Sequence, residues 1–87
     1  MKIEKKIWPE YFDNMKTGKK KFELRLGDFK VKPGDSLVLR EWDPKSKKYT
    51  GRKITKKVSI VLKTKGLKFW TQKEINKYGY QIIQLKD

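Results

Sequence analysis

The stretch Gly18-Lys19-Lys20-Lys21-Phe22-Glu23-Leu24-Arg25 decides how the chain is organised, because a helix ends in it and an amphipathic strand begins in it. Gly18 stands where a left-handed helix terminator belongs. Over residues 20–26 apolar and charged side chains alternate, as they do in a strand with one buried face. We therefore predict a strand over residues 20–26 whose Lys21, Glu23 and Arg25 share the exposed face.

The segment before this stretch predicts a strand followed by a helix. Residues 2–7 form an extended lead-in anchored by its two isoleucines. Pro9 suits the first turn of a helix, where its missing N–H group costs no hydrogen bond. One face of the predicted helix, residues 9–17, is apolar at a spacing of three and four residues, and we expect it to be buried: Trp8, Tyr11, Phe12 and Met15.

The remainder of the chain predicts three more strands and a short helix. The strands cover residues 36–42, 52–63 and 80–86, and a capping box at Thr71 and Glu74 predicts a helix over residues 72–78. Short turns join neighbouring strands, so the sheet is expected to be mainly antiparallel. About five strands and two short helices predict an α+β fold built as a small, partly closed barrel, which hides its edges by closing. The 87 residues form one domain, residues 1–87.

Composition narrows the classes of function. Lys and Arg number 24 against 10 Asp and Glu, giving a net charge of +14 that attracts polyanions. We expect a nucleic acid as the partner, and RNA rather than DNA, although DNA is not excluded. The alternative is a basic surface without a specific partner. The chain has no Cys and no His, which excludes disulfides, thiolate zinc sites, cysteine nucleophiles and histidine bases. We expect no metal, no cofactor, no membrane contact, a cytoplasmic location and a monomer.

The charged face of residues 20–26 is the first candidate site. Lys20 or Lys21 with Arg25 would hold phosphate in a cleft beside the first helix, while Glu23 accepts from a base amino group or a ribose hydroxyl. The alternative is a surface salt bridge without a role, worth at most about 1 kcal/mol.

The three arginines mark the middle of the chain. A chain that uses Lys at 21 positions and Arg at only Arg25, Arg40 and Arg52 is expected to place Arg where a planar bidentate donor is needed, or to have placed it by chance. Trp42 either stacks on a base or packs over the hairpin against Tyr49. The basic segment 45–53 either grips a nucleic-acid backbone or prevents edge pairing.

These residues resemble a known family. Residues 18–25 are similar to the Gly-x-Lys-x-x-Glu-x-Arg signature of ASCH domains, which belong to the PUA-like superfamily. The second half resembles the DUF3850 family, whose hallmarks correspond to Pro33-Gly34-Asp35, Arg40-Glu41-Trp42-Asp43-Pro44 and Tyr49-Thr50-Gly51-Arg52. The resemblance covers nearly the whole chain.

The resemblance implies a PUA-like barrel with an RNA-binding cleft beside the first helix. Some ASCH relatives are amidohydrolases or ribonucleases, so Lys20 and Glu23 are candidate catalytic residues of a metal-independent hydrolase. The amidohydrolase nucleophile position, however, is occupied by Glu23, which has no hydroxyl. A module that binds acidic peptides is a third alternative. The expected nucleic-acid-binding residues are Lys19, Lys20, Lys21, Glu23, Arg25, Arg40, Trp42, Tyr49 and Arg52.

Overall fold

The computed structural model describes residues 1–86 and has the predicted α+β composition, with three strands and two helices in that range. They follow one another as β1 (Lys2–Ile7), α1 (Pro9–Lys16), β2 (Ser36–Asp43), β3 (Lys48–Lys57) and α2 (Gln72–Tyr78). The three strands form one open sheet in the order β1-β2-β3. Within the described range, no helix is both long and apolar enough to span a bilayer.

The sheet is mixed, so the prediction of a mainly antiparallel sheet needs correction. β1 pairs with β2 in parallel, in a register that runs from Lys2 opposite Ser36 to Ile7 opposite Glu41. A parallel pair needs a long crossover to return the chain to the starting edge of the sheet. Here α1 and residues 17–35 provide that crossover, whereas β2 and β3 form an antiparallel hairpin.

A small core lies between α1 and one face of the sheet. It consists of Ile7 from β1, Phe12 and Met15 from α1 and Leu39 from β2, with Leu37 and Ile54 packed against it. The predicted apolar helix face is therefore confirmed for Phe12 and Met15. The other two aromatic side chains of that face, Trp8 and Tyr11, are each 47% exposed and lie outside this core.

The second strand of the hairpin, β3, begins and ends earlier than the strand predicted over residues 52–63. β3 starts at Lys48 because Lys48 and Tyr49 pair with Asp43 and Trp42, across a register shift between Arg40 and Trp42. The turn is correspondingly tight. Past Lys57 the backbone of Val58 still exchanges hydrogen bonds of 2.9 Å and 2.8 Å with Gly34 and Asp35, and regular pairing then stops.

Two predicted strands, residues 20–26 and residues 80–86, are not strands in the structure, so the described residues contain three strands instead of five and no barrel. Neither segment takes part in a backbone ladder, which is what defines a strand. Leu24 and Leu26, which the alternation of residues 20–26 assigned to a buried face, are accordingly exposed, and so are Ile82, Ile83 and Leu85 of the second segment.

The second helix matches its prediction. Thr71 accepts a hydrogen bond from the backbone N–H of Glu74, and the Glu74 carboxylate accepts one from the backbone N–H of Thr71. This reciprocal capping lowers the pKa of Glu74, chiefly through the bond from the Thr71 backbone. Gly79 ends the helix with a φ of +67°, a conformation that favours glycine.

Candidate nucleic-acid interface

Each of the three arginines lies in a different charged cluster around the sheet. Arg25 belongs to the loop that follows α1, Arg40 to the face of the sheet that points away from α1, and Arg52 to the face that packs against α1. The three clusters differ in how many hydrogen bonds the guanidinium donates to carboxylates of the chain. A guanidinium without a carboxylate partner is available to a ligand, whereas one that is fully paired stabilises the fold.

The first cluster, Lys20, Glu23 and Arg25, is the motif cluster. One carboxylate oxygen of Glu23 accepts from the Lys20 ammonium at 3.0 Å, and the other accepts from Nε of Arg25 at 3.0 Å. The three side chains are 19%, 15% and 28% exposed, so the group is largely shielded from water. A half-buried three-membered network is more than an isolated surface pair, which favours the view that residues 20–25 form a shaped site.

The aromatic rings near α1 hold Lys20 in place. Its ammonium lies 5.4 Å from the ring centroid of Tyr11 and 5.1 Å from that of Phe22, within the range of a cation–π contact. Its backbone N–H donates to the carbonyl of Asn14 at 2.9 Å, just past the end of α1. The motif cluster therefore lies beside the first helix, where the sequence predicted it.

The segment over residues 19–21 is held by a single side chain from the C-terminal part of the chain. The amide oxygen of Gln84 accepts from the backbone N–H of Lys21, and its amide nitrogen donates to the carbonyl of Lys19 at 3.1 Å. One side chain thus satisfies a donor and an acceptor of the loop, as a neighbouring strand would. The side chains of Lys19 and Lys21 remain exposed on either side of this contact.

The second cluster, Lys6, Arg40, Trp42 and Tyr49, forms the outer face of the sheet. The guanidinium carbon of Arg40 is 3.9 Å from the ring centroid of Tyr49. The ammonium of Lys6 is 4.6 Å from the ring of Trp42 and 5.8 Å from that of Tyr49. Among residues 1–86, no carboxylate lies within 4 Å of either cation. Cations and aromatic rings therefore lie side by side on this face, and the two cations are available to a ligand.

Arg25 connects the motif cluster to the outer face. Its terminal nitrogen Nη2 donates to the backbone carbonyl of Lys6 in β1. Together the two clusters border a cavity of about 420 Å³, lined by Glu4, Lys5, Lys6, Arg25, Arg40 and Tyr49. Arg25 and Arg40, predicted on separate segments, are thus brought to one surface.

The third cluster lies on the α1 face and is internally satisfied. Glu41 is 3% exposed at its side chain and accepts from Nε of Arg52 at 2.8 Å, from Nη2 of Arg52 and from the Thr50 hydroxyl. Arg52 also reaches Asp13 at 3.1 Å and lies 4.5 Å from the ring centroid of Phe12.

Charge pairing shifts the ionisation of this third cluster. The bonds from Arg52, followed by that from Thr50, hold the pKa of Glu41 below its ordinary value despite burial. The bond to Glu41 raises the pKa of Arg52 further above its already high range. Thr50 and Arg52 of the Tyr49-Thr50-Gly51-Arg52 segment therefore connect β3 to Glu41 in β2, and Arg52 also connects it to α1. Unlike the other predicted arginines, Arg52 has a structural role.

The structure adds residues that the sequence did not single out. Lys6 faces the same surface as Arg40 because β1 runs parallel to β2, with Lys6 directly opposite Arg40. Glu4 and Lys5 line the same cavity. In a strand over residues 2–7, Lys2, Glu4 and Lys6 share one polar face, but nothing in the sequence indicates which strand pairs with it. For residues 1–86, no group of three or more acidic side chains has the arrangement of a metal site.

Comparisons with known proteins identify relatives without a described function. A family profile described as "Domain of unknown function (DUF3850)" matches residues 3–80. The "Uncharacterized 12.9 kDa protein in GpA 3'region" of Escherichia phage P2 is 38% identical over 58 residues, which cover 67% of this chain and 51% of that protein. The chain thus spans about half the length of this curated relative. No solved structure matches.

Proposed function

Because the chain belongs to the DUF3850 family, whose description names no function, we propose from its own geometry that it is an RNA-binding module. The observation that carries the proposal is the outer face of the sheet, where Arg40 lies over Tyr49 and Lys6 lies over Trp42. Neither cation is neutralised by a carboxylate within residues 1–86. A surface that interleaves unpaired cations with aromatic rings offers phosphate contacts and stacking together.

The net charge of +14 supports the same proposal at longer range. A field of this sign raises the local concentration of a polyanion and speeds its association. Phosphate contacts supply affinity, and contacts to bases and riboses supply whatever selectivity exists. In this arrangement the exposed Lys19 and Lys21 act on the backbone of the RNA, and the motif cluster with the outer face acts on individual nucleotides.

We also propose an ASCH-type, PUA-like architecture for the domain. Its support is the Lys20, Glu23 and Arg25 network, in which the charged residues of the Gly-x-Lys-x-x-Glu-x-Arg pattern contact one another. The Gln84 side chain joins its own segment to residues 19–21 at one point, and these are segments that a partly closed barrel would bring side by side. Hydrogen exchange gives the test: slow amides along both segments support closure of the barrel, and fast exchange along both contradicts it.

A hydrolase is the second candidate, because the Lys20 ammonium lies 3.0 Å from the Glu23 carboxylate. A general base needs a free lone pair directed at the substrate. Both oxygens of Glu23 already accept from cations, which favours a binding role over a catalytic one. Turnover of RNA or of an N-acylated nucleoside that disappears in both Lys20→Ala and Glu23→Ala would favour the hydrolase instead.

A titration with single-stranded RNA at several salt concentrations tests the binding proposal. Six phosphate contacts predict that the logarithm of the association constant falls with the logarithm of salt at a slope of roughly −4. Single-stranded DNA of the same sequence is the matched ligand, and an acidic peptide of equal net charge is the competitor. Displacement of RNA by the peptide at equal concentration would indicate an acidic-peptide module, and absence of RNA binding at low salt would refute the proposal.

A further inference from the structure

The cavity between the outer face and the motif cluster contains an unpaired carboxylate among cations. Glu4 lines it together with Lys6, Arg25 and Arg40. Within residues 1–86 no Lys or Arg nitrogen lies within 4 Å of the Glu4 carboxylate. A carboxylate on the cavity wall without a salt-bridge partner is available to accept hydrogen bonds from a ligand.

The cations of the cavity are placed to hold one phosphate group. Lys6, Arg25 and Arg40 line the cavity, and Lys5, which also lines it, has its ammonium 3.8 Å from the centroid of the Phe29 ring. Arg25 uses Nε for Glu23 and Nη2 for the Lys6 carbonyl, so its Nη1 has no acceptor among residues 1–86. Guanidinium groups whose orientation is fixed in this way are suited to phosphate oxygens.

The size and the ring at the wall of the cavity suit a single nucleotide. The cavity is open to solvent, and its volume of about 420 Å³ leaves room for a single nucleotide. Tyr49 is 43% exposed, and the guanidinium carbon of Arg40 lies 3.9 Å from its ring centroid, so ring and guanidinium together offer a surface on which a base can stack.

We propose that this cavity is a single-nucleotide subsite that prefers bases with an exocyclic amino group, which donates to Glu4. The inference rests on the proposed RNA-binding function and adds base selectivity to it. A carboxylate accepts from the amino group of cytosine but repels the carbonyl oxygen that uracil presents at the same position. Cytosine and uracil stack to a similar extent, so a difference between them reports the hydrogen bond.

Fluorescence anisotropy with labelled oligocytidylate and oligouridylate of equal length tests the subsite. The wild-type protein should bind the cytidine oligomer about tenfold more tightly, the loss typical of an unmatched charged hydrogen bond. In Glu4→Gln this ratio should fall to near unity, because a carboxamide offers both a donor and an acceptor. Glu10→Gln in α1 removes the same charge away from the cavity and should preserve the ratio.

The outcomes separate the subsite from the general function. Equal binding of the two oligomers by the wild-type protein, or a preference that survives in Glu4→Gln, overturns the subsite and leaves RNA binding intact. A ratio that falls equally in Glu10→Gln also overturns it, because the effect would then follow net charge. Failure of both oligomers to bind at low salt overturns RNA binding and the subsite together.

Discussion

The guanidinium of Arg40 lies 3.9 Å from the ring centroid of Tyr49 and has no carboxylate partner within residues 1–86, whereas Arg52, on the other face of the same hairpin, is held by two carboxylates. The two arginines therefore have different roles. Arg40 is oriented by an aromatic ring and keeps its charge available for a ligand. Arg52 pairs with the buried Glu41 and, through Asp13, connects the hairpin to α1.

Replacing Arg40 should weaken RNA binding without unfolding the protein. Arg40→Gln removes one cation and the stacked plane, and we expect the dissociation constant for single-stranded RNA to rise about tenfold. The melting temperature should stay within a few degrees of the wild-type value. Anisotropy and thermal melting measure the two effects. Arg52→Gln is the matched control, and the opposite pattern is expected for it; equal losses of affinity and stability in both variants would contradict the distinction.

Removing the charge of Glu41 should destabilise the fold. Glu41→Gln loses charge-assisted hydrogen bonds from Arg52 in a nearly buried position, and we expect the melting temperature to fall by about 5–15 °C. Asp13 is the other carboxylate that contacts Arg52, and its side chain is 61% exposed. Asp13→Asn should therefore have a much smaller effect on the melting temperature. A smaller loss in Glu41→Gln than in Asp13→Asn would show that the buried pair is not the stabilising part of the network.

The depressed pKa of Glu41 makes stability fall in acid. The folded-state pKa lies below the ordinary value of 4.5, so on acidification the unfolded chain binds this proton first. The contribution of Glu41 to the free energy of unfolding is therefore fully present above about pH 4.5 and is lost as pH falls through the folded-state pKa.

Denaturant unfolding at a series of pH values checks this. The wild-type protein should lose stability below pH 4.5 more steeply than Glu41→Gln, in which the titrating group is absent. Asp35, whose pKa is lowered mainly by the Lys32 backbone N–H and then by the N-terminal ammonium, should account for part of the remaining slope. Identical slopes in the two proteins would exclude Glu41 as a source of the pH dependence.

The amide side chain of Gln84 should protect the loop over residues 19–21. In Gln84→Ala the backbone N–H of Lys21 loses its acceptor, and we expect its hydrogen exchange to become faster by at least about fivefold. Gln81→Ala removes an exposed glutamine from the same segment and is the matched control. Unchanged exchange at Lys21 in Gln84→Ala would contradict a role for this contact in ordering the loop.

Local patterns were enough to predict both helices, whereas for the motif cluster they left Lys20 and Lys21 as alternatives, of which Lys20 contacts Glu23. The capping box at Thr71 and Glu74 and the Pro9 start depend on a few neighbouring residues, and both are present. Strand pairing depends on distant residues, and alternation alone could not show that β1 pairs in parallel with β2. Because this pairing places Lys6 opposite Arg40, the sequence alone did not identify Lys6 as a residue of the outer face.

Alternation was also misleading where no partner strand is present. Residues 20–26 have the period of a strand, yet a strand forms only where a neighbour accepts and donates along its length. Gln84 meets that need at residues 19–21 alone. Arg52 illustrates a second limit, because its type and spacing match a binding residue while Asp13, 39 positions away, and Glu41 engage its guanidinium.

Chemical-shift mapping by NMR with a short single-stranded RNA tests whether the outer face binds RNA. We expect the shifts to concentrate on the outer face, at Lys6, Arg40, Trp42 and Tyr49, and to extend to Arg25 in the motif cluster. Arg40→Gln should reduce the shifts at Tyr49, while the residues of α2 serve as an internal reference that does not shift. Shifts confined to the lysines of the hairpin turn, or no shifts at low salt, would contradict RNA binding at the outer face.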